Sequence, residues 1–306
     1  MDLSVIICTL NRADELRATL TTLLARPLPE GVELIVVDNG STDATSEVVT
    51  SFQKQHPVIR VDEPVAGLSN ARNAGLQNAT GRWALYIDDD VNASPQLLPA
   101  YLRAIRRYPD AVVLGGGIEP VLLGESPPAW LTRGLCEVRD AYAGRDAHSN
   151  DQPIEAHTPP YGANFAIRVA AAGDAPFDPR LGRHPDHPAR GGEESEVIRA
   201  LLRKGSGYWV AGADVEHRIP QTRQSPRYLR RYFSQAGAES ALRLAQMTGS
   251  DRRRTTVRVA LRWLAHSLAL RLGALLGISR RRARDLRESA WHAGYLNTHL
   301  RSIKEP

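Results

Sequence analysis

Short apolar runs alternate with amphipathic stretches along the first 115 residues of this 306-residue chain. Each run is almost continuous in apolar and β-branched residues, which is typical of strands that are covered on both faces. Such a strand-helix succession predicts a parallel sheet with right-handed crossovers. The predicted strands are residues 3–8, 32–38, 58–62, 83–88 and 111–115, and the predicted helices are residues 13–25, 42–55, 69–79 and 94–108.

Polar residues follow three of these predicted strands, at the points where the strands end. Residues 9–12 follow the first strand, residues 39–43 follow the second, and residues 88–90 end the fourth. Ligands of open α/β sheets bind beyond the carboxyl ends of the strands. We therefore expect these three segments to meet at one edge of the sheet and to form a binding site there.

Three consecutive acids, Asp88 to Asp90, end the fourth predicted strand. Concentrating like charges is costly unless a cation compensates them. Carboxylates suit Mg²⁺ or Mn²⁺ that already carries the phosphates of a substrate. The alternative is an exposed acidic turn that caps the next helix. The position at the end of a central strand favours the metal site.

Two further segments have a functional and a plain structural interpretation. In VVDNGSTD, Asp38 can accept hydrogen bonds from a base or a sugar hydroxyl, and the loop from Asn39 is small enough to admit a nucleotide. The same residue types are the ordinary ones of turns. In GLSNARNAG, Arg72 lies one turn into a predicted helix whose N-terminus can face an anion. The alternative for Arg72 is a solvated helix face.

Charged residues of the later chain supply candidate catalytic groups. GGEESE places Glu193 and Glu194 after two glycines, where a carboxylate can serve as a general base. Acids in a first helical turn also simply favour the helix dipole. VEHRIPQTR contains His217, a candidate metal ligand, and Arg218 and Arg223, which can neutralise a diphosphate.

The strand-helix alternation stops after about residue 116. Residues 116–160 are rich in Pro, Gly and polar groups, which predicts a long loop region. We expect one domain over residues 1–225 and a basic α-helical extension over residues 226–306. The remaining predicted elements are strands at 162–168 and 207–211 and helices at 194–204, 226–247, 255–276 and 279–301.

The net charge of +5 hides an uneven distribution. Residues 226–306 hold 17 of the 39 Lys and Arg residues but only 5 of the 34 Asp and Glu residues. Arg258, Arg262 and His266 recur at helical spacing in an apolar stretch, so this helix can lie on an anionic membrane. The alternative is a helix that packs on the first domain or in a homodimer interface. Few aromatic residues and no reader motif argue against nucleic acid as a partner.

Targeting signals are not evident in the sequence. The N-terminal apolar run is short and follows an acid, which does not fit a signal peptide. No window of about 19 residues is free of charge, so we expect no transmembrane span. The two cysteines exclude a disulfide scaffold and fit a reducing compartment. We therefore expect a cytoplasmic protein, either free or peripheral at the inner face of a membrane.

SVIICTLNR, VVDNGSTD, GLSNARNAG and the Asp triplet, in this order, resemble the motifs of the family 2 glycosyltransferases. The resemblance covers about residues 3–235. It implies the GT-A fold, a Rossmann-like α/β architecture whose mostly parallel sheet is flanked by helices. It also implies an inverting hexosyltransferase that moves a sugar from a nucleotide-diphosphate-sugar, a UDP-sugar by default, to an acceptor hydroxyl. The acceptor would be a carbohydrate or a lipid-linked molecule of polysaccharide or glycolipid synthesis.

The resemblance assigns roles to residues of the predicted sheet edge. It implies Mn²⁺ or Mg²⁺ as cofactor, with Asp90, Asp88 and His217 as ligands. Glu194 stands where the family has an aspartate base, so Glu194 is the expected base and Glu193 competes for the role. Arg218 and Arg223 would lie near the diphosphate. The expected donor-binding residues are Thr9, Asn11, Arg12, Asp38, Asn39, Arg72, Asp88 and Asp89.

Two other functions remain open at this point. One is a non-catalytic module of the same fold that binds a nucleotide-sugar. The other is a sugar nucleotidyltransferase, which would need a glycine-rich loop bearing Arg or Lys after the first strand, and CTLNR has no glycine. A NAD dehydrogenase would need a GxGxxG motif there, which is also absent.

Overall fold

The computed structural model describes residues 1–186, 191–247, 252–275 and 279–304. The chain divides into two compact units, each built from two stretches of sequence. The first unit comprises Met1–Pro120 and Ala143–Arg218, and the second comprises Val121–Tyr142 and Ile219–Pro306.

The structure assigns strands and helices throughout the described residues. The strands are β1 (Leu3–Thr9), β2 (Val32–Asp38), β3 (Val58–Asp62), β4 (Trp83–Asp88), β5 (Val91–Ala93), β6 (Val113–Gly115), β7 (Ile118–Leu122), β8 (Gln152–Pro153), β9 (Asn164–Arg168), β10 (Gly207–Trp209) and β11 (Val215–Ile219). The helices are α1 (Ala13–Leu23), α2 (Thr45–Gln53), α3 (Leu68–Gln77), α4 (Leu97–Arg107), α5 (Ala129–Val138), α6 (Val169–Ala172), α7 (Glu193–Leu202), α8 (Pro226–Met247), α9 (Arg252–Leu275) and α10 (Ser279–Lys304).

The main sheet has the strand order β3-β2-β1-β4-β9-β6-β10-β8. Strands β1 to β4 pair in parallel, and β10 pairs in parallel with β6. Strand β9 runs antiparallel to both β4 and β6. The predicted fold class, a mostly parallel α/β sheet flanked by helices, is confirmed.

The central strands are covered on both faces. Val5 and Ile7 of β1 belong to one apolar cluster, and Ile6 between them belongs to a second cluster on the other side of the sheet. Because side chains alternate between faces along a strand, burying both faces needs an almost unbroken apolar run. This double burial is the physical reason that the strand ends, and not the strands themselves, carry the polar residues.

A smaller sheet, with the order β5-β11-β7, follows from pairings between distant parts of the chain. Strand β11 pairs antiparallel with β5, and His217 lies opposite Val91. His217 therefore lies inside β11, a strand that was not among those predicted from the sequence.

The expectation of a long loop region over residues 116–160 is wrong. Strand β7, helix α5 and the short strand β8 lie inside it. Helix α5 is only ten residues long and begins directly after Pro128, so the surrounding Pro and Gly residues concealed its helical pattern.

The second unit is a helical assembly with its own core. Leu131 of α5, Leu229 and Phe233 of α8, and Leu286 of α10 pack in one apolar cluster. Residues 121–142 group with the C-terminal helices because α5 packs against α10. None of the described helices combines the length and the apolar character needed to cross a membrane.

Two glycines allow α8 and α10 to approach closely. A Cβ atom on Gly294 of α10 would overlap the carbonyl oxygen of Ser234 in α8. A Cβ atom on Gly237 of α8 would likewise overlap the carbonyl oxygen of Trp291 in α10. The crossing therefore depends on backbone-to-backbone contact at these two positions.

Arg258, Arg262 and His266, which recur at helical spacing in α9, lie in different environments. The side chains of Arg258 and Arg262 are exposed. His266 instead lies 3.1 Å from the Asp285 carboxylate of α10 and is partly buried. Only the two arginines face outward, because α10 covers the side of α9 on which His266 lies.

Candidate active site

Three strand ends meet at one edge of the main sheet, all within the first unit. Thr9 at the end of β1 lies beside Asp38 at the end of β2, and Cys8 lies beside Asp88 at the end of β4. The segments predicted to converge are therefore neighbours, because β1 lies between β2 and β4 in the sheet.

Arg12 links the acids that follow β4. Its Nε donates a hydrogen bond of 2.9 Å to Asp89 Oδ1, and its Nη2 donates one of 2.7 Å to Asp90 Oδ2. Thr9 Oγ1 also donates to Asp89 Oδ2 at 2.8 Å. One guanidinium thus offsets the charge of two adjacent carboxylates, as a compact acidic turn requires.

Asp89 is strongly affected by this environment. Burial raises the pKa of Asp89 to about 7, and the neighbouring charge of Asp90 adds to the rise, while Arg12 and the hydrogen bond from Thr9 oppose it. Asp88 differs from its two neighbours, because 32% of its side chain is exposed whereas Asp90 is only 5% exposed. The triplet therefore contains one accessible carboxylate and two that are held inside.

Strand β11 brings a histidine and an arginine to the acidic turn. His217 Nε2 lies 3.3 Å from Asp90 Oδ1. The Arg218 backbone amide donates to the Asp90 carbonyl oxygen at 2.9 Å. The Arg218 guanidinium donates to the Glu15 carbonyl oxygen at 2.6 Å and to Thr19 Oγ1 at 3.0 Å. The buried Arg218 side chain thus anchors β11 to α1.

The predicted metal ligands only partly come together. Among the described residues, no group of three or more His, Cys, Asp or Glu side chains is arranged to hold a metal ion. Asp90 and His217 are adjacent, but Asp88 lies 3.9 Å from Arg72 on the other side of the triplet. An oxygen and an imidazole nitrogen 3.3 Å apart fit a cation that takes its remaining ligands from phosphates and water.

The predicted nucleoside-binding loop is held by its own side chains. Asp38 Oδ1 accepts a hydrogen bond from the Ser41 amide at 2.9 Å. Asn39 donates to the carbonyl oxygens of Glu63 and Val65, and its Oδ1 accepts from the Gly67 amide at 2.8 Å. Asn39 therefore ties the end of β2 to the start of α3.

Asn11 connects the first two strand ends. Its backbone has a positive φ of 54°, which asparagine tolerates better than most residues. Asn11 Oδ1 accepts a hydrogen bond from the Thr42 amide at 2.7 Å, and the Asn11 amide donates to Ser41 Oγ at 2.9 Å. The two loops that would enclose a nucleoside are thus joined directly.

Arg72 forms the centre of a second charged cluster. The guanidinium lies against the adjacent rings of Phe165 and Phe177, 5.6 Å and 5.7 Å from their centroids. It makes a short ion pair with Glu193 and lies 3.9 Å from a Glu194 carboxylate oxygen. Since the cluster is buried, these contacts are little screened by solvent.

The two glutamates of α7 have different surroundings. Gly192, with φ of 91°, precedes the helix and places both glutamates in its first turn. Burial raises the pKa of Glu194 to about 7, and the Glu193 charge adds to this, while Arg72 opposes it. Ser195 Oγ donates to Glu194 Oε1 at 3.2 Å. Glu194 therefore has a raised pKa, and Glu193 is held in a close ion pair with Arg72.

Comparison with known proteins yields a family match for the first part of the chain. Residues 4–122 match the family model described as glycosyl transferase family 2. The resemblance to family 2 glycosyltransferases is confirmed. The matched segment contains β1 to β4 and the Asp triplet but not Glu193, Glu194 or His217.

Curated relatives carry glycosyltransferase or polysaccharide names. The glucosyl-dolichyl phosphate glucuronosyltransferase of Haloferax volcanii is 25% identical over 212 residues, which cover 67% of this chain and 65% of that protein. The succinoglycan biosynthesis protein ExoM of Rhizobium meliloti is 34% identical over 134 residues, 42% of each chain. The chain spans less than two thirds of the length of these relatives.

Solved structures share the fold. The mannosyltransferase PcManGT of Pyrobaculum calidifontis, crystallised with GDP-Man and Mn²⁺, has a TM-score of 0.61 and 15% sequence identity to this chain. The match covers 97% of this chain and 86% of PcManGT. The likeness confirms the GT-A fold of the family 2 segment and its flanking elements.

Several residues that shape the site were not found by sequence reasoning. Asn164 Oδ1 accepts a hydrogen bond from the Tyr101 hydroxyl, and Asn164 Nδ2 donates to the Gly117 and Ala213 carbonyl oxygens. Phe165 and Phe177 both contact the guanidinium of Arg72. No local motif marks them, since each acts through partners that are distant in sequence.

Arg223, which was predicted to lie near the diphosphate, belongs to the second unit. Its carbonyl oxygen accepts a hydrogen bond from the Tyr142 hydroxyl.

Proposed function

We propose that this chain is an inverting glycosyltransferase that takes a sugar from a nucleotide-diphosphate-sugar, with its active site within residues 1–225. One observation carries the proposal. Arg72 lies 3.9 Å from both Asp88 and Glu194, which joins the acidic turn after β4 to a glutamate whose pKa is about 7. A diphosphate-binding turn and a general base at one sheet edge are the two parts that such a transfer needs.

Glu194 is the proposed general base. In one displacement, the acceptor oxygen attacks the anomeric carbon from the face opposite the diphosphate, and Glu194 takes the hydroxyl proton. The bond from the anomeric carbon to the diphosphate breaks, so the configuration is inverted. The pKa of Glu194, about 7, leaves a substantial deprotonated fraction of this residue and a useful driving force for proton transfer. Glu193 instead holds Arg72.

Asp90 and His217 are the proposed ligands of Mn²⁺ or Mg²⁺, with Asp88 facing the ribose or the sugar. The ion would stabilise the charge that develops on the leaving diphosphate. Arg12 holds the second Asp90 oxygen and so orients the carboxylate. Thr9, Asn11 and Asp38 line the adjoining strand ends, where a nucleoside would lie.

The acceptor is proposed to be a hydroxyl of a carbohydrate or of a lipid-linked sugar. One relative is named for transfer to glucosyl-dolichyl phosphate and another for succinoglycan synthesis. Both names support a role in building polysaccharide or glycolipid. A hexose carried on UDP is the first donor to test, with GDP and dTDP sugars next.

Nucleotide binding tests the donor site directly. Calorimetry of the full chain with UDP, GDP and dTDP, first with Mn²⁺ and then with EDTA, should show metal-dependent binding of one nucleotide. Asp90→Asn should weaken this binding, while Asp110→Asn, which removes an exposed carboxylate outside the site, should not. Binding of none of the three nucleotides by the folded protein would contradict the proposal.

Turnover separates an enzyme from a binding module. The matching nucleotide-sugar should release its nucleotide in the presence of a suitable acceptor, and Glu194→Gln should slow this release by about 10²- to 10⁴-fold. Tight, metal-dependent binding without turnover on a broad acceptor panel would favour a non-catalytic nucleotide-sugar-binding module instead.

A further inference from the structure

Helix α9 has one packed face and one uncovered face. On the packed face Val259 is buried, His266 meets Asp285 of α10, and Ser267 Oγ lies 2.8 Å from Ser289 Oγ of α10. On the opposite face Leu261, Leu264 and Leu268 are 62%, 56% and 60% exposed. Their spacing of three and four residues places them on one line along the helix. These three residues are called the leucine stripe below.

The leucine stripe is unusual for this molecule. Among the leucines whose side-chain exposure the structure describes, no other is as exposed, and the next, Leu123, is 39% exposed. Single exposed leucines are ordinary on protein surfaces, but several in a row form an apolar patch that calls for a partner. The exposed Ala265 continues the patch between Leu264 and Leu268.

Two exposed arginines lie along one side of the leucine stripe. Arg258 and Arg262 are exposed and lie beside it, one turn or less from Leu261. The sequence of α9 contains no Asp or Glu. An apolar line flanked by arginines is complementary to a surface that has an apolar interior and anionic headgroups.

We propose that the leucine stripe, with Arg258 and Arg262, docks α9 flat onto an anionic lipid bilayer. The leucines would enter the boundary between headgroups and acyl chains, and the guanidinium groups would contact lipid phosphates. A second copy of this chain fits less well, because a two-fold contact through the stripe would bring the arginines of both copies together. The proposal does not depend on the transferase activity.

Vesicle binding of the full chain tests the proposal. The protein should co-sediment with vesicles of phosphatidylcholine and phosphatidylglycerol, and much less with phosphatidylcholine alone. Added salt should weaken the binding, because it screens the exposed arginines. Leu261→Ser/Leu264→Ser/Leu268→Ser should lower the partition coefficient by roughly tenfold or more, since it removes most of the inserted apolar surface.

Matched controls distinguish binding through the leucine stripe and its arginines from the effects of net positive charge and of any single exposed apolar residue. Arg258→Gln/Arg262→Gln should lower binding to the anionic vesicles clearly more than Arg17→Gln/Arg26→Gln, which removes two exposed arginines of the first unit. Val65→Ser, at a residue 60% exposed, should have no effect. If the triple leucine variant does not fold, as judged by circular dichroism, Leu264→Ser alone takes its place with a smaller expected loss.

Three results would overturn the proposal. One is an absence of binding to anionic vesicles at low salt. Another is an equal loss of binding in the Arg17/Arg26 control, which would indicate general attraction of a basic protein. The third is a dimer in sedimentation velocity that the leucine variant converts to a monomer while vesicle binding is unchanged, which would assign the stripe to a second copy of the chain.

Discussion

At the scale of single residues, one cation distinguishes two adjacent carboxylates. Arg72 pairs closely with Glu193 and is farther from Glu194, and burial raises the pKa of Glu194 to about 7. A glutamate in a close ion pair suits an anchoring role, whereas a buried glutamate with a raised pKa suits the role of a base. The proposed division of roles, Glu193 as an anchor and Glu194 as the base, follows from this asymmetry.

Replacing the proposed base should affect turnover and not donor binding. Glu194→Gln keeps the size of the side chain but cannot accept the acceptor proton, so kcat should fall by about 10²- to 10⁴-fold. Steady-state kinetics and nucleotide calorimetry on the same preparation measure both effects. Glu196→Gln, at an exposed glutamate of the same helical turn, serves as the control and should change neither. Full activity in Glu194→Gln would exclude this residue as the base.

The pH profile should report the coupling between the two glutamates. Because a base acts when deprotonated, kcat/KM of the wild type should rise as the pH increases through about 7. Glu193→Gln removes the negative charge that helps to raise the pKa of Glu194, so the rise should occur at lower pH. A profile of Glu193→Gln that stays in place, or that moves to higher pH, would show that the charge of Glu193 does not set the pKa of the base.

At the scale of elements, the site depends on short strands that few local signals predict. Strand β11 pairs with β5 so that His217 reaches Asp90, and Arg218 fastens β11 to α1. These contacts place a histidine beside the acidic turn over a sequence distance of more than 120 residues. The geometry of the proposed metal ligands is therefore a property of the pairing of β5 with β11.

At the crossing of α8 and α10, replacing a glycine with alanine should destabilise the protein, although the same change usually stabilises a helix. In an open helix, Gly→Ala stabilises by about 1 kcal/mol because alanine has the higher helix propensity. Gly294→Ala should instead lower the free energy of unfolding by about 1–3 kcal/mol, because its Cβ would overlap the Ser234 carbonyl oxygen. Chemical denaturation measures the change, with Asn297→Ala at an exposed position of α10 as the control. A more stable Gly294→Ala variant would mean that the two helices do not meet at this glycine.

At the scale of the whole molecule, the protection of backbone amides against hydrogen exchange should depend on whether a strand is central or at the edge of the main sheet. Strand β1 is paired on both edges and buried on both faces, whereas β3 is an edge strand with exposed residues. Exchange of β1 amides should therefore require a larger opening than exchange of β3 amides. Hydrogen exchange followed by mass spectrometry should show β1 exchanging more slowly than β3. Equal exchange rates in β1 and β3 would indicate that the whole sheet opens in a single cooperative step.

Local sequence alone determined the parallel strands β1 to β4 and the composition of the site edge. The predicted bounds of the strands ending at Asp38, Asp62 and Asp88 agree with the structure because each apolar run records burial on both faces. The polar residues that end these runs, including Asp38 and Asp88, lie together because β1, β2 and β4 are parallel neighbours.

Tertiary structure alone decided how the charged groups are paired. Neither the contact between His217 and Asp90 nor the contact of Arg72 with two phenylalanine rings leaves a local pattern in the sequence. The same holds for the uncovered face of α9, where His266 turns toward Asp285 and the leucines do not. Periodicity along the chain reports which residues are buried, but the partner of a buried charge depends on the packing of elements that are far apart in sequence.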